Sequence, residues 1–130
     1  MAPIALLEEK IPDFKGYAEP DNRRRSDELV RSFLGEALAE AQERLGPLPA
    51  AALSKIGDLE IRTAFANQRA FHAFEQSIGS ASNFDDLLAA DASVVELAER
   101  AASIDRPALD AYLDEVTAAL DRRDRIMSGA

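Results

Sequence analysis

Beyond residue 20, apolar positions recur at three- and four-residue spacing, and glycine and proline fall mostly between the periodic stretches. No segment alternates with period two in β-branched residues, so the pattern predicts helices throughout. The first long helix, about 21–45, carries Leu29, Val30, Phe33, Leu34, Leu38 and Leu45 on one stripe, with Asp21 as its cap and Gly46-Pro47 as its stop. Its outer side offers i,i+4 pairs, Arg23–Asp27, Arg24–Glu28, Asp27–Arg31 and Glu40–Arg44.

A second helix is expected from Pro49 to Ile78-Gly79, either continuous or divided at Gly57-Asp58 into a short piece and a longer one. Asp58, Arg62, Arg69 and Gln76 form its solvent stripe. Ala64, Phe71, Phe74 and Ile78 lie opposite, flanked by Leu59, Ala70, Ile61 and Phe65. So wide an apolar arc predicts a central helix that organises much of the core. The next stretch opens with capping-box spacing at Ser82 and Asp85. A second box, Ser93 and Glu96, follows Asp91, so the stretch is either one helix or two, of about 83–90 and 93–103. Asp105-Arg106-Pro107 then opens a helix to about Met127, with Leu109, Tyr112, Leu113, Val116, Leu120 and Met127 inward. Arg122, Arg123 and Arg125 near its end complement the helix dipole.

These elements predict an all-α domain over 21–130, an antiparallel four- to five-helix bundle joined by short connections. Residues 1–20 form a separate N-terminal arm. Pro3, Pro12, Gly16 and Pro20 interrupt it, yet Ile4, Leu7, Ile11, Phe14 and Tyr17 are too apolar for a disordered tail. An ordered arm is expected, with a helical turn near 4–9, lying on its own bundle or a partner's.

Charge and composition narrow the chemistry. With 24 acidic and 15 basic residues among 130, the net charge is −9. That balance opposes nucleic acid and anionic membrane as partners. Absent cysteine excludes disulfides, thiolate catalysis and cysteine-bound metal, and a single histidine disfavours other transition-metal sites. No secretory leader or spanning segment is visible, so a cytoplasmic protein is expected. Twelve arginines to three lysines, with abundant alanine, point to a bacterial source.

Two constellations stand out. Gln68, His72 and Glu75 share one edge of the second helix beside Phe65 and Phe71, a candidate ligand pocket with His72 as a base or polar anchor. The plainer reading is a boundary histidine bonded to its helical neighbours. Arg23, Arg24 and Arg25 crowd a helix start, where the dipole opposes cations. Neutralisation by nearby acids, a grip on a partner together with Phe14 and Tyr17, or an anion site would each account for them. Phosphate-loop, nucleophile-elbow and zinc-protease motifs are absent, and no catalytic residue, cofactor or metal is assigned. The expected function is a non-catalytic protein–protein interaction or self-association module, with a homodimer through crossed arms as its specific form. The alternative is a regulatory bundle binding a ligand beside Gln68, His72 and Glu75.

Overall fold

The computed structural model describes residues 2–76 and 81–129, with side chains from Phe84 onward in the second stretch. The expected stop at Ile78-Gly79 lies outside the described residues, as does the Ser82 side chain on which the expected cap depends. The described residues form six α-helices and two short 3-10 turns joined by short connections, and no strand occurs among them. The helices are α1 (Pro3–Lys10), α2 (Arg23–Leu45), α3 (Ala50–Ala64), α4 (Gln68–Gln76), α5 (Ala81–Arg100) and α6 (Arg106–Ser128). None is long and apolar enough to cross a membrane.

Local chemistry explains most of the boundaries. Pro3 suits the first turn of α1, where its missing N–H costs nothing. Gly46 ends α2 at φ +73, in the left-handed region that glycine enters without a steric penalty. Asp105 caps α6 by accepting the Ala108 N–H at 3.0 Å. Asn22 rather than Asp21 precedes α2, and its side chain makes no capping bond.

Two points that the pattern leaves open are decided, and one expectation is corrected. The break between 49 and 78 falls at Phe65–Asn67 instead of Gly57, and α3 runs unbroken through that glycine. One helical glycine costs about 1 kcal/mol, too little to end a helix that packing supports. Asn67, by contrast, restarts the chain by accepting the Ala70 N–H at 3.1 Å. Nor does α5 divide at Asp91. Ser93 bonds back to the Ala89 carbonyl at 3.2 Å instead of capping a new helix. Finally, the central element is α5, which packs against α1, α2 and α6, whereas α3 lies chiefly on α2. Leu87, Ala90, Val94, Val95 and Ala98 bury one broad face of α5, and small side chains let its neighbours come close.

The arm lies on its own chain. Leu7, Ile11, Phe14 and Tyr17 are buried in the same core as Leu34, Phe74 and Val116, with α1 against α5. Phe14, Tyr17, Phe74 and Phe84 continue it as edge-to-face rings with centroids 5.4–5.9 Å apart.

Two helix-interior glycines differ in their reasons. A Cβ on Gly35 would sit 2.9 Å from Thr63 Oγ1, so α2 and α3 cross too closely for any side chain there. Around Gly57 nothing lies within 4 Å. Thermal melts should therefore show Gly35→Ala losing about 1–3 kcal/mol by overpacking. Gly57→Ala should gain about 1 kcal/mol from helix propensity. Equal effects at the two sites would contradict this account of the crossing.

Candidate binding site at the α3–α4 elbow

Four charged side chains meet in the interior where α2, α5 and α6 converge. Arg123 of α6 is 2% exposed, and Asp91 of α5 is wholly enclosed. Arg123 Nε donates to Asp91 Oδ1 at 2.6 Å, and its Nη1 pairs with Asp27 Oδ1 at 2.7 Å. The other Asp27 oxygen accepts from Arg31 Nε at 3.0 Å, and Arg31 Nη1 donates to the Thr63 carbonyl at 3.0 Å. Tyr17 of the arm donates its hydroxyl to Asp91 and accepts from Arg123 Nη2 at 3.3 Å. Two arginines thus face two aspartates, and no buried side-chain nitrogen or oxygen among the described residues lacks a partner. A closed, neutral set is the form in which charges tolerate burial.

Burial governs the acid–base behaviour. It pushes Asp91 above its usual value, against the pull of Arg123 and the Tyr17 hydroxyl. Burial, reinforced by the Asp91 charge, pushes Tyr17 well above the usual tyrosine value. For Arg123 burial opposes the charge, but Asp91, Tyr17 and Asp27 together outweigh it and hold the proton more firmly than usual.

The cluster reaches the surface beneath the α3–α4 elbow. A cleft of ≈ 240 Å³ has Asp27, Arg31 and Arg123 at its base and Phe71, Leu120 and Met127 on its walls. Arg62, Asn67 and Asp124 stand at its rim, joined because Asp124 Oδ2 accepts from both Arg62 and Asn67. A second hollow, on the α2 side of Phe65, shares Asp27, Arg31 and Phe71 and adds Gln68. Phe65 lies between the two hollows and is 69% exposed; Ile61, one turn earlier, is 62% exposed. Leu53, two turns before Ile61, is 44% exposed.

The residues expected to form a site are dispersed. Phe65 and Phe71 do border the cleft, and Gln68 borders its second hollow. His72 is exposed and lines neither, because ending α3 at Ala64 turns that edge of α4 outward. Glu75 holds Arg24 at 2.9 Å, and Arg24 also lies over Phe71, 4.9 Å from its centroid. Arg25 pairs with Glu28 at 3.4 Å. Arg23 is buried over Phe84 at 5.1 Å and donates to the Tyr17 carbonyl at 2.8 Å. The arginine run is thus engaged within the chain, with Phe14 and Tyr17 in the core behind it.

Asp27, Asp91 and Arg123 are not among the expected site residues, although the pattern carries a signal for Asp91 and Arg123. Arg123 stands three residues after Leu120 and four before Met127, on the inward stripe itself, and Asp91 interrupts an otherwise apolar run. No group of three or more potential metal ligands occurs among the described residues. Neither a family model, nor a curated protein, nor a solved structure matches this chain.

Proposed function

We propose that this chain is a non-catalytic interaction module, an antiparallel helical bundle of the bacterial cytoplasm that holds a partner protein at the α3–α4 elbow. One observation carries the reading: Ile61 and Phe65, large apolar side chains, stand mostly in water side by side at the mouth of a cleft. Aromatic and aliphatic anchors above a pocket are the usual energetic centre of a protein interface. Beneath them the ion cluster is closed on itself and makes a rigid floor. Small-ligand binding in the cleft is the second reading, favoured by its apolar walls over charged groups. It ranks lower because those groups already satisfy one another.

A different partner is favoured over a second copy. Arg23, Arg24 and Arg25, the basic run that could grip an acidic neighbour, are occupied at home, and two chains of charge −9 repel. The test is selection from a random 16-residue phage-displayed peptide library against the full chain. Enriched peptides should bind wild type and lose at least tenfold in affinity on Phe65→Ser, while His72→Ala leaves them unchanged. No enrichment, or binders indifferent to Phe65→Ser, would sink the proposal.

A further inference from the structure

Resting on that reading of the elbow, we infer that the partner segment is a cationic amphipathic helix laid along the outward face of α3. At about 100° per residue, Leu53, Gly57, Ile61 and Ala64 share the centre of that face. Glu60 marks one edge and Asp58 the other, both exposed. The opposite face is also apolar, with Ala52, Ile56 and Leu59 buried in the core. A helix apolar on both sides belongs inside something, and this one has water on its second side.

Charge names the occupant. Next to Asp58, α3 is tied to α6 by Lys55 on Asp110 and Asp114, and by Arg62 on Asp121 and Asp124. With Asp58 and Glu60, six carboxylates face two cations, a net of four negative charges. Arg125, one turn beyond Asp121, still leaves the frame acidic. An apolar stripe between acidic margins complements a helix with apolar anchors between lysines or arginines, and it repels an acidic one.

Gly57 suggests how close the partner comes. Gly35 is explained by Thr63, but nothing in the chain touches the space above Gly57. A helix-interior glycine costs about 1 kcal/mol, and here no packing within the chain requires it. Between Leu53 and Ile61 it leaves a notch that a partner's anchor can enter as a ridge enters a groove. No strand edge occurs among the described residues to receive an extended peptide, so a helix in this groove is the fitting mode.

Two fluorescein-labelled 16-residue helical peptides test this by anisotropy on the full chain. Both carry Leu and Phe anchors at i, i+4 and i+7; one is flanked by lysines, the other by glutamates. The lysine peptide should bind at least tenfold more tightly at low salt, with the gap narrowing as salt rises. Ile61→Ser/Phe65→Ser should abolish its binding, and Asp58→Asn/Glu60→Gln should weaken it severalfold. Gly57→Leu should block it in a chain that still melts cooperatively. Equal or tighter binding of the glutamate peptide overturns the cationic partner and leaves the elbow reading standing. Failure of both peptides overturns the elbow reading and this inference with it. Lysine-peptide binding that survives Ile61→Ser/Phe65→Ser is bulk attraction to a chain of charge −9, and overturns both.

Discussion

Arg123→Met should lower the unfolding free energy by about 3–5 kcal/mol, the loss expected when one member of a buried ion set is removed. The size follows from what stays behind. Asp27 retains Arg31 at 3.0 Å, but Asp91 keeps only the Tyr17 hydroxyl in a site closed to water. A lone buried carboxylate takes up a proton more readily folded than unfolded, so the folded form of the variant binds more protons. Stability of the variant should therefore be greatest at acid pH and fall as pH rises through the raised Asp91 value. Adding Asp91→Asn removes the stranded charge and should recover about 1–3 kcal/mol. Urea unfolding of the three proteins across pH 4–8 makes the comparison. A single variant as stable as wild type, or a double variant worse than the single, would contradict the ion cluster as described.

Removing residues 1–19 should abolish cooperative folding. Leu7, Ile11, Phe14 and Tyr17 are buried within the core, and each contributes about 1.5–3 kcal/mol by leaving water. Their sum, about 6–12 kcal/mol, matches the whole stability of a typical domain, about 5–15 kcal/mol. The deletion also strips Asp91 of its Tyr17 donor, Ser26 of the Gly16 carbonyl it bonds at 2.7 Å and Arg23 of the Tyr17 carbonyl. Far-ultraviolet circular dichroism should show reduced helix without a sharp melt, and a hydrophobic dye should bind the truncated chain. A truncated chain that melted like wild type would mean that the arm lies on the core without completing it.

Much of the fold was legible because hydrophobic periodicity reports which helix face leaves water. The inward stripe expected for α6 is buried from Leu109 to Met127. The stop at Gly46-Pro47 and the start at Asp105-Arg106-Pro107 also read correctly, whereas the Asp21 cap did not. Difficulty came where one residue type serves two ends. Gly57 and Ser93 look like breaks, yet packing carries the helix through both; Asn67, the actual cap, sits in a stretch whose apolar pattern continues across it. Register is lost there, which is why the periodicity puts Ile61 toward the core although it is exposed. The ion cluster was hard to see for another reason. Charge on an apolar stripe normally marks solvent, and only the simultaneous arrival of α2, α5, α6 and the arm makes burial affordable for Asp27, Asp91 and Arg123.

That convergence sets a timetable for the chain's birth. The bond between Tyr17 and Arg123 spans 106 residues, so the two ends of the cluster are made far apart in time. At ribosomal rates of about 5–20 residues per second, Tyr17 waits roughly 5–20 s for its partner. Until Arg123 is made, the apolar arm and, once synthesised, Asp91 have no finished site to enter. Native closure is therefore late relative to the synthesis of the arm, and the waiting chain is what a chaperone would meet.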